Sequence, residues 1–254
     1  MYHDVVQPGD YASSGMSGAD ADLYKIDRAQ FCRHLDAIGT KASVRTCVQK
    51  DLGTPPVFLT FDDGGTSAVW TAEELERRGW RGHFFVVSDW IGRPGFLTAE
   101  EICELDRRGH VIGSHSCSHP PCISALNESD ILREWRESVK TLSELTGHPI
   151  TVASVPGGFY SKRVGDGAMR AGIEWLFTSQ PTTSITRHGE GYLVGRYFIQ
   201  QGMSPEIAGS FAGGAHTLPR HKQAILWNVK KAAKALGANV YIRIRKRLIQ
   251  KQFS

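Results

Sequence analysis

Short apolar runs, each closed by a polar or glycine-rich turn, recur along the chain and alternate with stretches of helical spacing. VFLTF (57–61), HFFVV (83–87), VIGSHS (111–116), ITVASVP (150–156), EWLFTS (174–179) and YLVGRYFI (192–199) read as buried strands, and YHDVV opens the series. Continuous apolar runs of this length suit strands covered on both faces. Helices fall between them. One passes through Glu73, Glu74 and Leu75 to Gly79; in LTAEEICELDRRG, Thr98 and Glu101 predict a capping box and Gly109 a stop. NESDILREWRESVKTLSELTG carries Ile131, Leu132, Trp135, Val139, Leu142 and Leu145 near helical spacing. SKRVGDGAMRAG and SPEIAGSFAGG supply two more, the second opened by Ser204 as cap and Pro205. Such alternation predicts an α/β fold with a parallel sheet, and six or seven units before residue 215 favour a closed or nearly closed barrel. A single domain over 1–213 is expected, with 214–254 as an appendage.

Charge sharpens that division. Residues 220–254 hold ten Lys/Arg and no acid, while the rest of the chain holds 20 against 26 Asp/Glu. VYIRIRKRLIQKQF interleaves apolar and basic side chains, a composition that suits an anionic membrane surface or an acidic partner, with a solvated tail as the alternative. No nucleic-acid module accompanies it, so no nucleic acid is expected. No run approaches the roughly 18 apolar residues of a membrane span. Five cysteines without a CxxC pair point to free thiols in a reducing compartment, and Cys117, between two histidines, reads as a small neutral spacer. The start of the chain has no basic, apolar leader. The expectation is therefore a cytoplasmic protein, peripheral at the inner face of the membrane, or an exported one if the true start lies upstream.

Every polar oddity falls at a strand end. Asp62 and Asp63 follow VFLTF; GSHSCSHPP sets His115 and His119 four apart; SVPGGFY makes a Pro-Gly-Gly turn flanked by aromatics. Adjacent aspartates at a core edge are most simply turn or helix-capping residues. Two histidines on one helical turn or in a tight loop can reach one cation, and Pro120-Pro121 favour the loop. With a strand-end carboxylate they offer two nitrogens and one oxygen, a set that suits a catalytic Zn²⁺ with a position left for water. One aspartate would then ligate and the other take a proton, the turn at Gly64-Gly65 bringing both toward the mouth. Hydrolytic attack on a carbonyl is the chemistry this implies.

TFDDG and HSCSH, each at a strand end in a βα series, resemble the polysaccharide deacetylases of the NodB-homology type, carbohydrate esterase family 4. The similarity covers roughly residues 1–200 in order and spacing. It implies a distorted (β/α)7 barrel and removal of acetyl from an N-acetylated sugar in a polysaccharide, lipopolysaccharide or glycolipid precursor. It also implies Asp62 as catalytic base and Asp63, His115 and His119 as ligands of a divalent metal, usually zinc. Two positions depart from the family. Its third-motif arginine is replaced by Ser154, which leaves Arg196 as the candidate to orient the base. Its late general-acid histidine has no counterpart after residue 200, where His216 and His221 lie in a Gly/Pro-rich connection and a basic region. YHDV instead resembles the N-terminal placement of that motif in the circularly permuted branch, making His3 the candidate acid, with a strand-capping role as its alternative and His188 in reserve. Around Pro156 and Gly158, the N–H of Phe159 or Tyr160 is a candidate oxyanion donor. Trp90 and Tyr160 are candidate sugar platforms, though such rings more often pack. Hydrolysis of another C–N amide bond and glycan binding without turnover are the rival readings.

Overall fold

Residues 1–49, 57–213 and 217–235 are described by the structure, a computed structural model. An extended segment leads into β1 (Val5–Val6); after the short helix α1 (Ala19–Asp22), β2 (Ile26–Asp27) pairs with it in parallel. Helix α2 (Arg28–Gly39) begins where the Asp27 carboxylate accepts the Gln30 N–H at 2.7 Å, and it buries Phe31, His34, Leu35 and Ile38. β3 (Val44–Arg45) pairs in parallel with β4 (Val57–Phe58), which runs on into β5 (Thr60–Phe61). There follow α3 (Ser67–Glu76), β6 (His83–Val86), α4 (Ala99–Arg107), β7 (Val111–Ser114), α5 (Glu128–Thr146) and β8 (Val152–Ser154). Then come α6 (Lys162–Arg170), β9 (Trp175–Phe177), β10 (Ile185–His188), β11 (Gly191–Val194), α7 (Pro205–Ala212) and α8 (Leu218–Ala235).

The main sheet runs in the order β10-β11-β9-β8-β7-β6-β5 and curls into a half-barrel. Neighbours from β5 to β11 are parallel; only β10 folds back antiparallel onto β11, as an edge strand that the sequence pattern did not predict. The open side is bridged by the first two residues. Tyr2 donates its N–H to the Thr60 carbonyl (2.8 Å) and accepts from the Asp62 N–H (3.1 Å). Met1 ties this segment to residues 197–199, its carbonyl accepting from the Ile199 N–H (2.9 Å) and its nitrogen donating to the Tyr197 carbonyl (2.8 Å). The expected barrel is thus a curled ladder completed by residues 1–2 and 197–199. The strand expected over 192–199 ends at Val194, after which the Arg196 N–H turns to the Gln180 carbonyl (2.9 Å) beyond the end of β9.

Packing explains why these elements hold. Tyr2, 1% exposed, stacks on Phe61 (5.7 Å between centroids), and Phe61 stacks on Phe84 (5.0 Å), tying the bridging segment into the core. Buried Trp135 of α5 donates its indole N–H to the Val164 carbonyl of α6 (3.2 Å). The capping box at Thr98 and Glu101 is formed, and Ser204 occupies the N-cap of α7 ahead of Pro205, with its carbonyl rather than its hydroxyl accepting from the helix. The boundary expected at residue 214 falls among residues outside the description, as do 236–254, most of the basic tail. Helix α8 after that boundary is docked on the domain: the Gln223 amide accepts the Phe198 N–H (3.0 Å) and donates to its carbonyl (2.8 Å).

Candidate active site

The opening turn of the site is made by backbone conformation. β5 ends at Phe61, Asp62 continues the pairing with Tyr2, and then Asp63 (φ 77°) and Gly64 (φ 76°) are both left-handed. Aspartate is among the few residues with a Cβ that tolerate this region. The turn therefore starts one residue earlier than the Gly-Gly pair suggests. It brings two neighbouring carboxylates to one side, and they are 4% and 3% exposed.

Asp62 is clamped. Arg196 donates Nη1 to Oδ1 (2.7 Å) and Nη2 to Oδ2 (2.9 Å), a two-pronged ion pair. The guanidinium is itself fixed, with Nε donating to the Thr178 carbonyl (3.1 Å) and Nη1 to the Thr60 hydroxyl (3.1 Å). The Ser154 hydroxyl adds a longer bond to Oδ1 (3.4 Å). Burial pushes the Asp62 carboxyl up, but Arg196, His115 and His3 together outweigh it and hold it below the ordinary carboxylate range. Behind the clamp, an apolar cavity of about 500 Å³, bordered by Leu59, Phe177, Val194 and Tyr197, reaches Arg196 and contains none of the other polar site residues.

Asp63 faces two imidazoles. Its Oδ1 lies 3.3 Å from His115 Nε2 and 3.7 Å from His119 Nε2, and it has no hydrogen-bond partner. One ligand atom from each of the three residues falls within 4.8 Å of the others. His115 Nδ1 stands 2.5 Å from the Ser154 hydroxyl and 3.1 Å from its carbonyl. An Nδ1–H donated there leaves the Nε2 lone pair facing Asp63, the arrangement by which metal-ligating histidines are oriented. Burial pushes Asp63 up as well; the adjacent His115, with His3 and His119 nearby, holds it far below the usual range. A buried carboxylate oxygen without a partner, between two nitrogen donors, fits a divalent cation.

The two histidines sit in a loop, not on a helix. The His115 N–H continues the ladder to Val86 (2.8 Å), after which Ser116 (φ 66°) and His119 (φ 54°) adopt left-handed backbone. Such a loop needs external support, and Glu134 of α5 provides it. Its Oε2 accepts the N–H groups of Cys117 (3.1 Å) and Ser118 (2.8 Å), and its Oε1 the Ser118 hydroxyl (2.7 Å). The Trp90 ring packs 5.2 Å from that of His119. The Cys117 thiol donates to Asp89 (3.1 Å), and burial pushes its pKa up to about 11.

A family model described as polysaccharide deacetylase matches residues 49–176, half of the chain. The chain belongs to the polysaccharide deacetylase family. Of relatives named for that family, YxkH of Bacillus subtilis (strain 168) is 26% identical over 172 residues, 67% of this chain. The chain spans 61% of YxkH. The fold is likewise that of solved deacetylases. A Bacillus cereus polysaccharide deacetylase superposes with a TM-score of 0.70 at 20% identity, covering 84% of this chain and 67% of its own. A Streptococcus pyogenes deacetylase solved with acetate gives 0.66 at 19%, covering 81% and 93%.

Against this family background, the remaining residues singled out from the sequence separate. His3 stands close enough to Asp62 and Asp63 to act on both, with its ring 4.7 Å from that of Tyr24 and its buried Nδ1 unpartnered. Asp4 does not satisfy it, since that carboxylate accepts from the Ser14 (2.5 Å) and Ser67 (2.9 Å) hydroxyls. His188 is held by Asp166 (2.9 Å) on the outer hairpin, His221 is exposed on α8, and His216 lies outside the described residues. Pro156–Gly158 forms a tight turn after β8, and the Phe159 N–H is turned back onto the Pro156 carbonyl (3.4 Å) rather than left free. The Tyr160 ring packs toward His188 (6.5 Å), not toward the three ligands. Glu134 and the double contact of Ser154 escaped the sequence reading. Glu134 looks like any acid on an amphipathic helix, and only the loop folded over it gives it partners.

Proposed function

We propose that this chain is a metal-dependent N-deacetylase that hydrolyses the acetamide of an N-acetylated sugar in a glycan or glycolipid. Asp63, His115 and His119 hold the cation, zinc being best suited to two imidazoles and one carboxylate. When bound there, it supplies Lewis acidity to the acetamide carbonyl and the attacking water. Asp62 is the base. Its Oδ2 has a second lone pair beyond the one taken by Arg196, so it can accept a water proton while the fork holds its plane and Ser154 occupies Oδ1. Arg196 keeps that carboxylate ionised and aimed, a role the family's third-motif arginine fills and Ser154 cannot. Ser154 links the two halves by accepting from His115 Nδ1 and donating to Asp62 Oδ1. His3 donates a proton to the departing amine.

The observation that carries this reading is the pairing of an Arg-clamped carboxylate with a three-donor cluster on adjacent residues. Zinc-loaded protein incubated with N-acetylglucosamine oligomers is expected to release acetate, and His3→Gln to slow release by about a hundredfold or more. Release only from simple amides, or glycan binding with no acetate at all, overturns the assignment.

A further inference from the structure

We propose that the outer face of α8, with the basic sequence that follows it, seats the protein on an anionic lipid surface. Leu218, Ile225 and Leu226 are 67%, 64% and 54% exposed, and besides them only Val48 and Ile185 are large exposed apolar residues among the described ones. At helical spacing the three share one face with exposed His221 and Lys222. The opposite face is fixed: Gln223 clamps Phe198, Arg220 donates to the Phe211 carbonyl (2.6 Å), and Trp227 lies against the turn at Gly158. The stripe is therefore held outward on a docked helix. No helix among the described residues is long and apolar enough to cross a membrane, so the stripe suits lying on a surface.

Charge selects the occupant. Residues 220–254 carry ten Lys/Arg and no acid, so pairing this helix with its copy in a second chain sets two strongly positive segments together. A nucleic acid matches the charge but gains nothing from three solvent-facing Leu and Ile side chains. An anionic bilayer takes both, and stable attachment to a surface needs two such signals. Trp227 packs at the turn after β8, on the same strand-end edge of the sheet as Asp62 and Asp63.

Sedimentation with vesicles tests this without any turnover, and so stands apart from the deacetylase reading. The full chain is expected to pellet with phosphatidylcholine–phosphatidylglycerol vesicles, not with phosphatidylcholine alone, and to be released by salt. The triple variant Leu218→Ser, Ile225→Ser, Leu226→Ser is expected to lower partitioning about tenfold or more, with unchanged circular dichroism and zinc titration. Ile225→Ser alone is expected to give a smaller loss should the triple variant misfold. Absence of vesicle binding, equal binding by folded variants, a dimer dispersed by the same changes, or capture by RNA but not by vesicles overturns the proposal.

Discussion

Asp62 and Asp63 are neighbours in the chain, equally buried, and solved in opposite ways. The Asp62 charge is cancelled by a permanent cation of the chain itself, delivered as a rigid fork from Arg196. Asp63 meets only imidazoles, which are neutral unless protonated, and keeps an oxygen with no partner. One carboxylate has both oxygens bonded by the fold, and the other keeps one open. A buried polar atom without a partner is costly, so the difference marks Asp63 as the candidate ligand position.

The sharpest break in the comparison is Asp62→Asn. Acetate release is expected to fall by about two to four orders of magnitude while zinc affinity, measured by calorimetry, stays put; retained release removes Asp62 as the base. Arg196→Ala comes next. It strands the Asp62 charge and is expected to destabilise the fold by about 3–5 kcal/mol in denaturant titrations. Because the Asp62 pKa is depressed in the folded protein, its stabilisation is present above the unfolded carboxylate value and lost as pH falls through the folded one. Without the guanidinium, burial is opposed only by His115 and His3, and the acid limb of the rate profile is expected to move to higher pH. Arg196→Lys restores charge but not the fork, and is expected to recover stability better than rate.

On the other aspartate the comparison runs the other way. Zinc at a hundred times its Kd is expected to stabilise the wild-type chain by about 2.7 kcal/mol in thermal melts, and to do nothing for Asp63→Asn. A chelator should reverse the gain. Glu134→Gln, which removes the charged acceptor beneath the histidine loop, is expected to weaken zinc binding about 10–100-fold with Asp62 untouched. At the small end, Cys117→Ser is expected to change zinc affinity by about twofold at most, since the thiol faces Asp89 and not the cluster.

What the sequence revealed follows the same divide. TFDDG and HSCSH are legible because their chemistry is concentrated in adjacent letters. Arg196 stands out because a charge in YLVGRYFI has no bland explanation in a strand, though the strand itself stops at Val194. Helix α2 went unread because His34 takes a core position in its narrow stripe of Phe31, Leu35 and Ile38. β10 has an exposed face throughout most of its length and no apolar alternation to announce it. Glu134 and Ser154 acquire meaning only through contacts from distant segments, the Ser154–Asp62 bond spanning 92 positions. The region after 213 read as an appendage because its charge dominates its composition, yet Gln223 anchors its helix to Phe198.

The seam at Met1 and Tyr2 sets an order of assembly. Asp63, His115 and His119 have all been synthesised by residue 119, within one run of consecutive βα units. The fork bonded to Asp62 arrives only with residue 196, and the Met1–Tyr2 segment cannot be held between its two flanks until residues 197–199 have been made. Closing so long a loop comes late. A nascent chain therefore holds all three residues of the candidate cluster well before it holds the arginine that clamps Asp62.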